Sequence, residues 1–292
     1  MLLAVLAATA MAAVPVSASQ DPNPPWPDLL PALPVASKHQ PGPVPHCKRG
    51  RMRCIDNTIK RMRRLQRRLG CDHRAVFATT YLTLSKVLRK RIRRDPHLFR
   101  DRRYLAFEVT HFANFYFHML HASERGRPIP EAWRISIDTA RRGDANAGQD
   151  MLIGINAHVQ RDMPYVIAQL GLVTRSGASR KPDHNVMNRV LDEAYQPVVD
   201  AIRRRYDPIV STTNAEWNPL DDVGGLEMVK AWREGVWRNA ERLVNARTPA
   251  QRRQVSASIE ANAANWARMM AAPQDPGYRA RRDAYCHSKL RR

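Results

Sequence analysis

From Cys54 onward the apolar residues recur three and four positions apart almost without interruption, the spacing that gathers them on one face of an α-helix. Between Cys54 and Leu69, for example, Ile55, Ile59, Met62, Leu65 and Leu69 form a single stripe, with five arginines among the other positions. The pattern predicts helices over 54–69, 72–94, 101–122, 130–141, 148–170, 183–206, 226–246 and 249–270. Boundary residues agree with these limits. Asp72 and Asp101 suit N-caps, Gly126 and Gly171 follow helix ends, and Pro130 and Pro249 sit in first turns. No stretch alternates with period two for long enough to suggest a sheet, and no internal repeat is present. The expected fold is all-α, a single compact multi-helix domain of about eight helices over 47–292.

The N-terminal region departs from this pattern. Residues 1–18 form an apolar run about as long as a signal-peptide core, closing on Val16-Ser17-Ala18, which fits the small-x-small rule for cleavage. The run is too short to span a bilayer in the ordinary way, though it lacks the basic residue that normally precedes such a core. Export is the expectation, with a mature chain from about Ser19; an N-terminal membrane anchor is the alternative. Residues 19–46 are Pro-rich, with nine prolines between 20 and 46, and are expected to be an extended linker or a segment laid over the surface.

Charge narrows the class of partner. The net charge is +21, and because residues 1–18 carry none of it, the mature chain keeps it all. A field of this size draws anions: an anionic small molecule, a lipid headgroup, a cell-envelope polymer or nucleic acid. The excess concentrates between Lys48 and Arg103, notably in "KRMRRLQRRL" and "RKRIRRD". Solvated helix faces explain such runs as readily as a binding patch does. Aromatic residues are not interleaved with them, so stacking on single-stranded nucleic acid finds no support.

Export would make the four cysteines disulfide partners. A helix between Cys54 and Cys71 holds those two roughly 25 Å apart, at about 1.5 Å per residue. A disulfide requires Cα atoms within about 7 Å, so that pairing is excluded, and Cys47–Cys71 would force the chain straight back along the same helix. The expected pairs are Cys47–Cys54 and Cys71–Cys286.

Three apolar helices carry polar residues where core residues belong. In "FEVTHFANFYFHMLH" the residues Glu108, His111, Asn114, His118 and His121 make a lengthwise stripe, with His111 and His118 about 20° apart around the axis. In "INAHVQRDMP" His158 and Asp162 project together at the edge of an apolar face, while Asn156 points about 160° away from His158. A carboxylate so placed must be paired, hydrogen-bonded or metal-bound. Pro164 lacks an N–H and is expected to free the carbonyl of Gln160 and loosen the helix there. In "KPDHNVMNRVLDEAY" Asp183 suits an N-cap, and His184 and Asn188 lie on the side of Leu191, Tyr195 and Ile202.

These sets allow three readings. His111 or His118, with His158, Asp162 and His184, could hold zinc or another divalent metal that activates water for hydrolysis of phosphate esters or lipids. Without metal, His158 could act as a general base oriented by Asp162, with His184 as a further catalytic candidate and Glu108, Asn156, Asp183 and Asn188 as pocket support. A buried structural network, with an arginine pairing Asp162, is the third. A non-catalytic helical module binding an anionic envelope component is the alternative to an enzyme.

The stretches "CDHRAVFATTYL", "GINAHVQRDMPYVIAQLGLV" and "SRKPDHNVMNRVLDEAYQPVVDAI" resemble the bacterial domain of unknown function 5995 family over roughly residues 50–210. Its members are most alike around N-A-H-x-x-x-D and D-H-x-x-x-N, here Asn156, His158, Asp162, Asp183, His184 and Asn188. The resemblance implies a class and no activity. A more distant likeness is to the all-helical, zinc-dependent phospholipase C and single-strand nuclease superfamily, which uses a His, then HxxxD, then a second helical motif. Here Asn188 stands where that motif has a carboxylate, and neither the additional His nor the N-terminal Trp–His arrangement has a counterpart. That likeness therefore implies one metal ion rather than three.

Overall fold

The structure, a computed structural model, describes residues 30–143, 145–211, 222–274 and 276–290. The expected signal peptide and the first part of the Pro-rich segment lie outside the described residues. In chain order the elements are α1 (Arg53–Leu69), α2 (Ala75–Arg94), α3 (Arg102–Glu124), α4 (Glu131–Arg142) and α5 (Ala147–Asn156). A π-helical segment (Ala157–Asp162) then joins α5 to α6 (Met163–Leu170) in one continuous rod. After it come α7 (Lys181–Arg205), a 3₁₀ turn (Pro208–Ser211), α8 (Asp222–Asn245), α9 (Pro249–Met270) and α10 (Tyr278–Leu290). Among the described residues the only β-type pairings are two isolated bridges, Val44 with Cys47 and Val173 with Ser179. The fold is all-α, and every predicted helix is present to within four residues at each end.

The N-terminal half of α2 lies at the centre. Ala75 to Leu82 are all buried, as expected of a helix apolar all round, and α2 packs against α1 on one side and α7 on another. Around it, α1 buries Ile55, Ile59, Met62, Leu65 and Leu69 and turns its arginines outward. Gly154 lets α5 close on α2, because a Cβ there would stand 2.7 Å from the Phe77 ring.

Asp101 is the N-cap of α3, accepting the Tyr104 N–H at 2.8 Å. Capping boxes start α5 (Asn146 with Gln149) and α9 (Thr248 with Gln251). Two expected caps are corrected. Asp72 accepts the N–H of Arg74 two residues on, closing a turn ahead of a helix that begins at Ala75. Asp183 lies inside the first turn of α7 and turns away from its own helix, accepting the backbone N–H groups of Arg100 at 2.9 Å and Asp101 at 2.8 Å. It thereby fixes the entrance to α3.

The described part of the Pro-rich segment lies on the surface along α8. Leu33 N–H donates to Glu241 at 2.7 Å, Ala36 N–H to Asn245 at 2.7 Å, and Arg238 to the Pro31 carbonyl at 3.0 Å. Further on it crosses Gly171, whose φ is +91° and where any Cβ would lie 2.0 Å from the His39 carbonyl oxygen.

Both expected disulfides are present, Cys47–Cys54 and Cys71–Cys286. The helix that periodicity missed is α10, whose buried residues are only Tyr278, Arg282 and Cys286. Three residues on a thirteen-residue helix leave no apolar stripe to read. The disulfide holds it instead, together with the Arg282 guanidinium, which donates to the Cys71 carbonyl and lies 5.4 Å from the Tyr206 ring centre.

The cross-link spans 215 positions, so opening it restores much chain entropy to the unfolded state. Cys286→Ser is expected to lower unfolding stability by about 2–5 kcal/mol. Urea denaturation with and without reductant checks this, with α10 becoming the first site of tryptic cleavage.

Candidate functional site

Pro164 sets the local geometry. Having no N–H, it cannot close an α-turn onto Gln160, and the rod absorbs the defect as a π turn in which the N–H of Met163 reaches back to the carbonyl of His158. The loosening expected around Pro164 thus takes the form of one widened turn. That turn delivers His158 and Asp162 to the interior, 2% and 0% exposed.

Asp162 is a fully engaged buried anion. One oxygen accepts from Trp133 Nε1 at 2.9 Å and from His158 Nδ1 at 3.2 Å, and the other accepts from Arg161 Nη1 at 2.9 Å. Arg161 continues to Glu260 on α9 at 2.8 Å. The carboxylate offers only lone pairs, so Nδ1 of His158 carries the ring proton and Nε2 carries the lone pair. Nε2 is buried and has no hydrogen-bond partner among the described residues. The ring stacks on Phe112, with centroids 3.4 Å apart, and meets the edges or faces of Tyr81, Phe77 and Trp133 at 5.0–5.8 Å. Desolvation in this cage holds the imidazole below its ordinary pKa against the opposing pull of Asp162, which keeps it neutral.

His158 lines a cavity of about 350 Å³ between α2, α3, the α5–π–α6 rod, α7 and α8. Its walls are overwhelmingly apolar, among them Leu84, Leu88, Ile155, Leu191, Val198 and Val229. Two charged side chains join His158 in the lining, Glu108 and Arg233. Glu108 makes no hydrogen bond or ion pair among the described residues. Burial pushes its carboxyl up to about 7, with Asp183 adding to the rise and Arg233 and Arg180 opposing it. Arg233 is pulled down to about 10 by desolvation, against the attraction of Glu108 and Glu234. Glu108 and Phe112 are one turn apart on α3, with Cβ atoms about 6 Å apart. Glu108, Phe112 and His158 all line the cavity.

The remaining sequence candidates lie elsewhere. His184 Nε2 donates to the Arg233 carbonyl at 3.0 Å, and Asn188 accepts from Arg233 Nε at 2.8 Å, so both lock α7 to α8. Burial, with the charge of Arg233 next, holds His184 well below its ordinary pKa. Asn156 ties the rod to α9 by donating to the Ala263 carbonyl at 2.8 Å, and accepts from Gln160 at 2.7 Å. His111 is half-buried and hydrogen-bonded to Gln169 at 2.7 Å, and His118 is exposed. The expected metal ligands His111, His118, His158, Asp162 and His184 are therefore not assembled, apart from the His158–Asp162 pair. Both oxygens of that carboxylate are already engaged. Among the described residues no group of three or more His, Cys, Asp or Glu is placed to hold a metal ion. The donor set does not fit zinc.

Sequence reasoning missed Arg233, Trp133 and Phe112. Arg233 carried a legible signal, since it lies four residues from both Val229 and Trp237, on the apolar face of its helix. Trp133 and Phe112 look like any core aromatic until the buried Asp162 and His158 are placed beside them.

Comparison with known families gives one match. A family model described as "Family of unknown function (DUF5995)" matches residues 55–273. No curated protein and no solved structure matches the chain.

The Glu108 shift has a stability consequence. Its folded pKa of about 7 lies above the ordinary 4.5, so between those values the folded chain holds a proton that the unfolded chain releases. Stability from this group is therefore full at the acid end and lost as the pH rises through about 7. Glu108→Gln removes the loss. The variant is expected to melt above the wild type at pH values above 7, with the gap narrowing towards 4.5, as read by thermal melts across that range.

Proposed function

For a chain that belongs to the DUF5995 family, a family of unknown function, we propose a role in binding a small molecule with an apolar body, held in the cavity with its polar group towards His158. One observation carries this reading: a largely apolar cavity of about 350 Å³ has in its lining His158, whose buried ring nitrogen Nε2 has no hydrogen-bond partner among the described residues. An unpaired buried acceptor is destabilising by about 1–3 kcal/mol unless something donates to it. A ligand hydroxyl, or a water held beside a ligand, supplies that donor. The cavity volume also lies at the lower end of the range of about 300–1,000 Å³ typical of small-molecule sites.

The compartment proposed for this activity is extracytoplasmic. The two disulfides support it, since such bonds persist in oxidising surroundings. Among the described residues no helix is long and apolar enough to cross a membrane.

A second reading rests on the outer face of α1. Arg63, Arg64 and Arg67 face solvent there and pair with no acid among the described residues. The charge of Arg63 adds to partial burial in holding Lys86 on α2 below its ordinary pKa. This face suits electrostatic attachment to an anionic lipid surface. Binding to phosphatidylglycerol-containing vesicles is expected to fall as salt rises and to be lost when all three arginines become Gln; salt-independent binding rejects this reading.

The cavity reading is tested by filling the space. Ala194, buried on α7, lines the cavity, so Ala194→Phe projects a ring into it. The wild type is expected to bind an environment-sensitive fluorescent long-chain alcohol, and the variant to bind it at least about tenfold more weakly, about 1.4 kcal/mol, with no loss of melting temperature. Equal binding by both proteins rejects the cavity as the site.

A further inference from the structure

Resting on the cavity reading, we infer that the ligand is an uncharged alcohol and that Glu108 is the specificity-determining residue that keeps the corresponding carboxylic acids out. Glu108 need not touch His158 for this. It needs only to line the chamber that holds the ligand, which it does from α3.

The wall offers an anion very little. Among the described residues its one Lys or Arg is Arg233, and each of the three guanidinium nitrogens already donates within the protein. Nε donates to Asn188 at 2.8 Å, Nη1 to the Met163 sulfur at 3.6 Å and Nη2 to the His184 carbonyl. Thr80 and Tyr81, also in the lining, donate to the carbonyls of Val76 and Val109. Asn146 and Gln149 hold each other in the capping box that starts α5. An ionised carboxylate taken out of water needs donors or a cation of its own, and this largely apolar wall has spent most of what it has. A hydroxyl is uncharged and needs far less.

Glu108 adds repulsion. It makes no hydrogen bond or ion pair among the described residues, so no contact neutralises it. The charged groups facing it are Arg233, Asp183 and Arg180. Burial moves its carboxyl up to about 7, and above that pH the wall carries an anion. A ligand carboxylate in the same chamber meets that charge with apolar wall rather than bulk water around both. Unit charges about 10 Å apart in a protein interior change an affinity by about tenfold. Arg233 pulls the other way, and Glu108 offsets it. Removing the Glu108 charge leaves Arg233 unopposed in the lining, which favours an acid.

The outside of the molecule gives such selection a purpose. A net charge of +21 draws anions to the surface, so acids are concentrated there over alcohols of the same chain length. Choice between the two is then left to the interior. The same field disfavours amines, which would also have to lodge in a chamber lined by Arg233.

Competition against the fluorescent long-chain alcohol tests this, with 1-decanol, decanoate and decylamine as competitors at about pH 8.5, where Glu108 is ionised. The full chain, Glu108→Gln and Glu108→Asp are compared. Wild type is expected to bind decanol at least about tenfold more tightly than decanoate or decylamine. Glu108→Gln is expected to gain affinity for decanoate until the gap closes to a few-fold, with decanol unchanged. Glu108→Asp keeps the charge and is expected to keep the gap. Altered packing alone would move decanol and decanoate together. If Glu108→Gln does not fold, wild type is compared above and below pH 7 with decane-1-sulfonate, which stays ionised; it is expected to bind more tightly below, where Glu108 is protonated. Wild type that binds decanoate or decylamine as tightly as decanol overturns this inference and leaves the cavity reading standing. An unchanged gap in Glu108→Gln, or unchanged sulfonate binding across pH 7, also overturns it. Failure of the wild type to bind the fluorescent alcohol removes both.

Discussion

The carboxylate of Asp162 is the constraint around which the interior is organised. It is completely buried, and a charge so placed persists only with its hydrogen bonds filled. Filling them fixes Trp133 of α4, His158 of the π turn and Arg161, and through Arg161 the Glu260 carboxylate of α9. One anion thereby sets the spacing of three parts of the chain. Pro164 contributes by what it lacks. Its missing N–H widens the turn before it, and that turn carries the pair inward. Had the rod been a regular α-helix throughout, the face bearing His158 would have presented a different register to Phe112 and Tyr81.

The polar residues of the interior serve two different ends. Asn156, Asp183, His184 and Asn188 spend their hydrogen bonds on backbone groups or on a side chain of another element: α9, the start of α3, and Arg233 of α8. Each joins elements that apolar packing alone would hold in several registers. Among the described residues Glu108 makes no hydrogen bond or ion pair, and His158 Nε2 has no partner. Both residues line the cavity, and burial raises the energy of the charged form of each. The two polar stretches therefore have unequal roles. The stretch around Asp183 is chiefly an architectural lock, whereas the stretch around His158 also contributes to the lining of the cavity.

The helices were legible because amphipathic spacing repeats over many turns, and the disulfides because helix length excluded the competing pairings. Alignment of His158 with Asp162 was legible for the same reason, since residues four apart share a face. The grouping of His111, His118, His158 and His184 into one ligand set was not. It depends on which helices face each other, and the sequence of a single helix carries no information about its neighbour. The cavity was hidden for a related reason. Leu191, Val198 and Ile155 read as core residues whether they meet another side chain or a gap. The role of α10 lay outside periodicity altogether, because a cross-link and a buried guanidinium replace the apolar stripe.

Glu108 shows most clearly how the site differs from its scaffold. A carboxyl at this place joins no helix to another among the described residues and caps no terminus, and burial, with the charge of Asp183 adding to it, pushes it towards its neutral form. The nearby charge of Arg233 does not reverse the shift, so on balance desolvation outweighs attraction. Leucine or glutamine would suit the same surroundings with less strain on folding. The fold tolerates the group because the surrounding helices are tied by other means: the Arg233 lock, the Asp162 network and a disulfide spanning 215 positions. A group that weakens the fold and lines an apolar chamber is not accounted for by packing.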